Sequence, residues 1–457
     1  MDLYHATFAC SIVLNSLVFY QSQRSHTSAE PLSPRKGEEK DRVDGDREAL
    51  TKLKRRYYPI YLLVNAADWL QGPYIYPIYK DEKGLPEQTV AFLFMIGFVS
   101  AGISASFAGS FADRHGRKTA CLAFCVIYSL SCATLLTNNL NLLFLGRILG
   151  GMSGTLLWSV FESWMVAEFN SLMLPDAEPI LSGILGTLTT ANSFVAIFAG
   201  ILAEWLVRTA GTAKAPFMAS TACLLVAFAA IAKCWGENYG SSCHSSVEEA
   251  TLLRQEEADS SPAPASPLRM ILHDRKILIL ALVSCFFEGS LFLFIFFKFP
   301  ALKLSHKLSG ATQELPFGLI FAILMCSMMF GSMLYKRLST SATPMAASKI
   351  LTGLLGLASA SLFAPAYFRD ERITLWCFCV FELCCGIYYP VMGSLKGKLI
   401  DDGARASIYG ILRVPLNIFV VLALSTTQEG ESHRNMVFTT CGLLLSVAAG
   451  VVHTTLS

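Results

Sequence analysis

The ten residues Gly109-Ser-Phe-Ala-Asp-Arg-His-Gly-Arg-Lys118 separate two long apolar runs and carry one acid and three cations. A connection with so many charges is too polar for the hydrocarbon core of a bilayer, and it is too short to fold by itself. Gly116 suits a tight turn, and Asp113 can meet a helix N-terminus or pair with a nearby arginine. The stretch therefore predicts a charged loop between two membrane-spanning helices.

The composition of the whole chain also indicates a membrane protein. Of its 457 residues, 53% are hydrophobic and 15% are charged, and the mean hydropathy is +0.49. Soluble domains usually carry about a quarter charged residues. The net charge of +2 is spread over short loops, which argues against a nucleic-acid partner. Most of the 14 cysteines lie in apolar runs as small fillers. Their spacing favours neither a metal site nor a cofactor, and no glycine-rich loop suggests an ATP-driven pump.

Twelve apolar runs are long enough to span a bilayer as helices, and a further run, 4–20, precedes them. This pattern predicts an all-α polytopic membrane protein with two six-helix halves plus an additional N-terminal hydrophobic segment. That segment is either a retained signal anchor or a cleaved signal peptide. The predicted spans are 57–79, 88–112, 119–136, 140–165, 180–207, 214–235, 276–300, 313–335, 344–367, 371–394, 406–427 and 434–454.

The basic residues predict how the chain is oriented. With the segment before residue 57 in the cytoplasm, about 24 of the 36 lysines and arginines lie on the cytoplasmic side. The longest internal connection is rich in Glu, Ser and Pro, which predicts a flexible cytoplasmic linker. The predicted units are the N-terminal segment 1–56, the first half 57–235, the linker 236–275 and the second half 276–457.

Five charged side chains lie inside predicted spans, where a charge is costly and is usually paired or functional. They are Asp68, Arg147, Glu288, Glu382 and Arg413. An arginine can donate two hydrogen bonds to one oxyanion, so Arg147 and Arg413 are candidate substrate contacts. A desolvated carboxylate can carry a proton, so Glu288 and Glu382 are candidate coupling groups. The alternative is that Asp68 pairs with Arg147, and Glu382 with Arg413, to hold helices together.

Other polar residues complete the predicted site. Gln71 lies one turn after Asp68, and we expect both to line a polar substrate cavity. At the cytoplasmic end of the fourth span, Glu162 is predicted to pair with Arg114 or Arg117 and so to close a gate. The predicted gating residues are Asp113, Arg114, Arg117 and Glu162. By contrast, Glu204 lies near an outer helix end, where we expect it to be solvated.

Several segments resemble one transporter family. The spacing of the charged loop is similar to the signature loop of the major facilitator superfamily. Within that superfamily, Ala66-Ala-Asp-Trp-Leu-Gln-Gly-Pro-Tyr74, Phe161-Glu-Ser-Trp164, Trp235-Gly-Glu-Asn-Tyr239 and Glu382-Leu-Cys-Cys-Gly-Ile-Tyr-Tyr-Pro390 resemble the molybdate-anion transporters. The resemblance implies a major facilitator fold and uptake of molybdate by alternating access, with proton coupling as one energy source.

One segment departs from the family pattern. Lys298-Phe-Pro300 stands where we expect Trp-Thr-Pro. Lys298 near the outer mouth either attracts anions or extends to the membrane interface. Two other functions remain open: a carrier of the same fold for sulfate or a small organic anion, and a non-transporting membrane sensor or scaffold. No set of nucleophile, base and oxyanion hole points to an enzyme. The plasma membrane is the default location, and an internal membrane is the alternative.

Overall fold

The computed structural model describes residues 3–26, 37–175, 177–239, 274–311, 313–340, 346–399 and 402–456. In these ranges the chain forms helices joined by short connections, and no strand occurs there. Ten of the described helices are long and apolar enough to cross a membrane, so the protein is a multi-pass membrane protein. Most of the predicted linker 236–275 lies outside the described residues.

The described helices comprise an N-terminal helix and two groups, and nine of the ten helices that are long and apolar enough to cross a membrane belong to these two groups. The first part of the chain contains α1 (Leu3–His26), α2 (Gly37–Gln71), α3 (Ile75–Pro77), α4 (Glu87–Ala105), α5 (Ala108–His115), α6 (Arg117–Thr134), α7 (Leu140–Asn170), α8 (Ala177–Ala210) and α9 (Ala215–Cys234). The second part contains α10 (Arg275–Leu308), α11 (Phe317–Thr340), α12 (Ala347–Tyr367), α13 (Glu371–Leu399), α14 (Asp402–Ser425) and α15 (Glu431–Leu456). Helices α2–α9 pack together as the first group, and α10–α15 pack together as the second. The groups meet where α8 packs on α11 and α4 packs on α14.

The first spanning helix differs from the predicted span 57–79. It begins at Gly37, so the charged stretch before residue 57 is also helical. Acid–base pairs four residues apart, such as Glu48 and Lys52, favour a helix there. The helix ends at Gln71 because Pro73 lacks an amide hydrogen for the helical ladder. A short helix and a five-residue π-helix, Ile78–Glu82, then complete the span.

The stretch predicted as a charged loop is mostly helical. Helix α5 continues through Asp113 to His115, and only Gly116 separates it from α6. The backbone of Gly116 has φ 98°, a conformation that residues with a side chain rarely adopt. The expected tight turn is therefore present, but it occupies one residue rather than a whole loop.

Helix α1 packs along α11 of the second group. At the predicted outer end, the Tyr4 hydroxyl donates a hydrogen bond to the carboxylate of Glu371. In the middle, the Asn15 side-chain amide donates to the carbonyl oxygen of Cys326 over 3.1 Å. An amide buried in an apolar helix is stabilised by such a bond to a neighbouring helix. The N-terminal hydrophobic segment thus forms a further helix on the surface of the bundle.

Candidate functional site

A cavity of about 270 Å³ lies beside the break at the end of α2. All the residues that line it belong to the first group of helices. The lining residues with a polar side-chain atom are Asp68, Trp69, Gln71, Tyr79, Tyr128, Ser131 and Arg147. The cavity therefore brings together three predicted substrate contacts, Asp68, Gln71 and Arg147. Interrupted helices are a common way to place polar groups at membrane depth, because an irregular backbone is tolerated where it lines a cavity.

The local backbone explains why these side chains face one space. After the last turn of α2, the amide of Gly72 donates to the carbonyl of Trp69 over 3.2 Å. The amide of Tyr74 donates to the carbonyl of Gln71 over 3.1 Å. These turn bonds replace the helical ladder that Pro73 interrupts. The final turn of α2 therefore ends at the cavity instead of crossing it.

The inner part of the Arg147 guanidinium group, on α7, is fixed by contacts with α4. Its Nε donates to the carbonyl of Leu93 over 3.2 Å, and its Cζ lies 5.1 Å from the centre of the Phe94 ring. Gly97 makes room for it, since an added Cβ there would lie 2.7 Å from a terminal guanidinium nitrogen. Within the described residues, the terminal nitrogens of Arg147 donate to no protein acceptor. They are thus free to bind a ligand in the cavity.

Asp68 faces the same cavity but makes a different contact. It accepts a hydrogen bond from the Tyr128 hydroxyl over 2.5 Å. No ion pair between Asp68 and Arg147 occurs among the described residues, so the expected structural pair is wrong. Sequence analysis missed Tyr128, because a tyrosine in an apolar helix carries no sign of its partner.

Gln71 lies at the cavity, but its donor group is already used. The side-chain nitrogen donates to Ser220 Oγ over 2.9 Å and to the carbonyl of Ala67 over 3.2 Å. Ser220 in turn donates to the same carbonyl over 2.7 Å. Since an anion needs donors, Gln71 serves here to join α2 to α9 rather than to supply a free N–H group.

The two predicted coupling acids lie in the second group and have different surroundings. Glu288 of α10 is half-buried, and it accepts a hydrogen bond from the Tyr388 hydroxyl over 3.0 Å. Glu382 of α13 is buried and forms an ion pair with Lys298 Nζ at 3.9 Å. The partner of Glu382 is therefore Lys298, and the expectation that Lys298 reaches the outer mouth or the interface is wrong. Arg413 lies in α14, but its side chain is outside the described residues.

The predicted gating residues near Gly116 do not form the expected latch. Arg117 donates to Asp113 over 2.8 Å and to the carbonyl of Ser163 over 3.3 Å. Arg114 and Glu162 are exposed, and no ion pair joins Glu162 to either arginine in the described residues. Arg117 is thus occupied within its own group, and the predicted pairing with Glu162 is absent.

The segment Trp235-Gly-Glu-Asn-Tyr239 contacts α6 and α7 at the predicted cytoplasmic end of the first group. The Glu237 carboxylate accepts hydrogen bonds from the backbone amides of Lys118 and Thr119 at 2.7 and 3.1 Å. A carboxylate is favourable at the N-terminus of α6, where amides lack helical partners. Trp235 stacks on Trp164 with ring centres 3.9 Å apart. The segments Phe161–Trp164 and Trp235–Tyr239, which were quoted for the family resemblance, therefore contact each other in the structure.

The predicted outer end joins the two groups. Deeper in the bundle, beside the Arg147 cavity, the rings of Phe98 and Phe292 pack across the two groups with centres 4.8 Å apart. The Glu204 carboxylate, which was expected to be solvated, accepts bonds from Tyr74 Oη at 2.8 Å and from the Gly318 amide at 2.9 Å. Glu204 also pairs with Arg208 of its own helix at 2.8 Å, but its contacts to Tyr74 and Gly318 join distant parts of the chain and were therefore not predicted.

Two ion pairs also cross this end. Lys303 of α10 pairs with Asp81, and Lys80 Nζ lies 3.0 Å from Glu429 Oε1. The Glu87 amide, with Lys80, lowers the pKa of Glu429 below its ordinary value. Between residues that the structure describes, the ion pairs and hydrogen bonds that join the two groups all lie at this end. The outer end is therefore closed.

Comparison with known families gives a match over much of the chain. The family described as sugar transporters, 12 TM, matches residues 34–368. A molybdate-anion transporter of Danio rerio is 28% identical over 435 residues, covering 88% of this chain and 87% of that protein. One from Xenopus tropicalis is 29% identical over 419 residues, covering 88% and 85%. These matches confirm the resemblance drawn from the sequence.

Solved structures show the same fold. A mutant of the nucleoside transporter NupG superposes with a TM-score of 0.66 at 12% identity, over 89% of this chain and 100% of that one. A D-xylose-proton symporter gives a TM-score of 0.66 at 12% identity, over 87% and 96%. The inward open conformation of the xylose transporter XylE from E. coli gives 0.62 at 12% identity, over 88% and 95%. The expected major facilitator fold is confirmed.

Proposed function

Because the chain belongs to the family of sugar transporters, 12 TM, within the major facilitator superfamily, we propose that it carries molybdate across a membrane by alternating access. The observation that carries this proposal is the guanidinium of Arg147, fixed at its base and free at its end in a cavity. The named molybdate-anion transporters among its relatives support the choice of substrate. The plasma membrane is the proposed location.

The chemistry of the cavity suits a tetrahedral oxyanion. A guanidinium is planar and can donate two parallel hydrogen bonds to two oxygens of one anion. A lysine would offer a point charge without this geometry. The Ser131 hydroxyl also lines the cavity and donates to the Gly146 carbonyl over 2.7 Å. Arg147 is therefore the primary anion contact, with Arg413 as a proposed second contact from α14.

Contacts at the predicted outer end support an inward-facing state of the proposed carrier. Contacts such as Lys80–Glu429 and Asp81–Lys303 join the groups there. Arg114 and Glu162 are exposed at the opposite end. We therefore propose that this arrangement corresponds to the inward-facing state of the transport cycle. In the outward-facing state the outer pairs separate, and Glu162 and Arg114 approach each other to close the inner end.

Asp68 is the acid that we propose for binding the coupling proton. Moving a dianion towards a negative interior costs about 2.3 kcal/mol per charge for each 100 mV, so cations should accompany it. Asp68 shares the cavity with Arg147. In its ionised form it repels an anion there, whereas in its protonated form it does not. We therefore place proton coupling on Asp68, with Glu288 as a second acid.

Uptake by purified protein in liposomes tests the proposed function. Liposomes with wild-type protein should accumulate radiolabelled molybdate above protein-free liposomes, and unlabelled tungstate should compete because it is also a tetrahedral dianion. Uptake should rise when the outer solution is made more acidic at constant membrane potential. Stronger uptake of sulfate than of molybdate would assign another oxyanion. No uptake of any anion by correctly inserted protein would support a sensor or scaffold instead.

A further inference from the structure

A buried ion pair in the second group lies apart from the Arg147 cavity. Lys298 of α10 and Glu382 of α13 have side chains that are only 5% and 4% exposed, and their charged atoms are 3.9 Å apart. Two opposite charges that are both removed from water must compensate each other, because either one alone would be costly to bury. Solvent therefore does not reach this pair as it reaches a group in an open cavity.

Aromatic rings complete the surroundings of the lysine. Lys298 Nζ lies 5.4 to 5.6 Å from the ring centres of Phe294, Phe299 and Phe321. Ring faces attract a cation, so they favour the charged form of Lys298 in a place without water. Phe321 is also 6.0 Å from Trp69, ring centre to ring centre. Phe321 thus lies between the ion pair and the break in the first spanning helix.

Besides Lys298, α10 carries the charged group Glu288 in this region, but Glu288 accepts a hydrogen bond from Tyr388 and does not contact Glu382 among the described residues. On the helix of Glu382 the nearby titratable groups are the thiols of Cys379 and Cys385 and the phenol of Tyr389. Cys326 of α11 lies beside Cys379. Helix α12 carries ionisable side chains only near its ends, at Lys349 and Tyr367. Thiols and phenols are usually neutral near neutral pH, so Lys298 alone balances Glu382.

We propose that Lys298 is a permanent counter-ion that fixes the charge state of Glu382 and thereby excludes this acid from proton exchange. Glu382 had been predicted as a coupling group, and the ion pair gives it a structural role instead. Resting on the proposed function, the second part of the inference is that Lys298 selects which acids can couple. Asp68 and Glu288 remain available, because neither forms an ion pair among the described residues.

A double-substitution cycle tests the ion pair without any transport assay. Lys298→Met and Glu382→Gln should each lower the Tm of the purified protein by several degrees, on the order of 5 °C. The double variant should lose less than the sum of the two, because it leaves no charge uncompensated. Lys298→Arg should retain most of the stability. Lys214 and Glu82, a partly exposed pair at 3.3 Å, give a matched control cycle with little coupling.

The pH dependence of Tm identifies the group responsible. In Lys298→Met, the buried Glu382 carboxyl group is tolerated in its neutral form but costly when ionised. Tm of this variant should therefore fall as pH rises from about 5.5 to about 8. The double variant should show the same pH dependence as wild type. A Lys298→Met variant that follows the wild-type pH dependence, or additive losses in the cycle, would overturn the proposal.

Uptake then tests the consequence for coupling. The double variant should keep the wild-type dependence of molybdate uptake on outer pH, whereas a flattened dependence would show that Glu382 exchanges protons after all. If wild-type protein carries no molybdate, the proposed function fails, but the two Tm experiments still decide whether Lys298 compensates Glu382. The two failures are therefore distinguishable.

Discussion

The two halves of the molecule each place an acid and a cation at membrane depth, but they use them differently. In the first group, Asp68 and Arg147 line one cavity and bind other partners, Tyr128 and the Leu93 carbonyl. In the second group, Glu382 and Lys298 pair with each other and are almost fully buried. The comparison teaches that a charge within a span is not by itself a site. Its role depends on whether the opposite charge satisfies it and whether a ligand can reach it.

The largest expected effect comes from removing the free guanidinium. Arg147→Gln should lower the initial rate of molybdate uptake about 100-fold or more, because truncating a charged hydrogen-bonding partner typically costs about 2–5 kcal/mol. Uptake into liposomes, normalised to inserted protein, measures this. Arg372→Gln is the matched control, since this arginine at the start of α13 is exposed and its side chain has no partner among the described residues. Wild-type uptake by Arg147→Gln would show that the first-group cavity does not bind the anion.

A smaller effect is expected from the acid in the cavity. Asp68→Asn should flatten the rise of uptake with outer acidity, because an amide cannot take up and release a proton. Tyr128→Phe should lower uptake about 3- to 10-fold, since a typical hydrogen bond contributes a net of about 0.5–1.5 kcal/mol. Tyr367→Phe, at an exposed tyrosine near the end of α12, serves as the control. If Asp68→Asn keeps the full pH dependence, coupling belongs to Glu288 or to another ion.

The outer ion pairs allow a test of the closed state. Asp81→Asn and Lys303→Gln should each favour the outward-facing state, because an exposed pair contributes about 0.2–1 kcal/mol to the closed form. Labelling of a cysteine placed at Phe292 should become a few-fold faster as the outer end opens. Lowering the outer pH below about 4.5 should also speed labelling. The pKa of Glu429 is lowered, so its ion pair with Lys80 persists to about this pH and is lost when Glu429 is protonated. Unchanged labelling in both variants would contradict a gating role.

The smallest effect is expected from the linker, whose central part lies outside the described residues. Replacing 245–265 with Gly and Ser of equal length should leave uptake within about two-fold of wild type, because such a composition favours a flexible chain. Surface expression provides the control. A collapse of uptake with normal expression would assign regulation to this segment.

Sequence analysis could predict much of the fold but only part of the site. Long apolar runs determine spanning helices directly, so the helix order and the extra N-terminal helix followed from hydropathy. Asp68 and Arg147 stood out because charges in such runs are rare. The break at Gly72-Pro73 was missed, since the apolar run continues past it. If polar residues had followed Pro73, the end of the first helix would have been clear from the sequence.

The pairing of charges could not be predicted in the same way. Lys298 and Glu382 lie on different helices, and their contact depends on how α10 and α13 are rotated against each other. A single sequence gives the depth of a residue in the membrane but not the face on which it meets another helix. For the same reason the sequence left open whether Asp68 pairs with Arg147, and it did not indicate Tyr128 as the partner of Asp68. The packing and rotation of the helices, rather than the composition of each helix, determine which of these charged side chains meet.

The most direct test of the account is equilibrium binding of molybdate to the purified protein. Three proteins should be compared: wild type, Arg147→Lys, and the double variant Lys298→Met/Glu382→Gln. The account predicts that Arg147→Lys weakens binding about 10-fold or more, because an ammonium cannot copy the two parallel hydrogen bonds, while the double variant binds like wild type. Full binding by Arg147→Lys, together with loss of binding in the double variant, would place the anion in the second group and contradict the account.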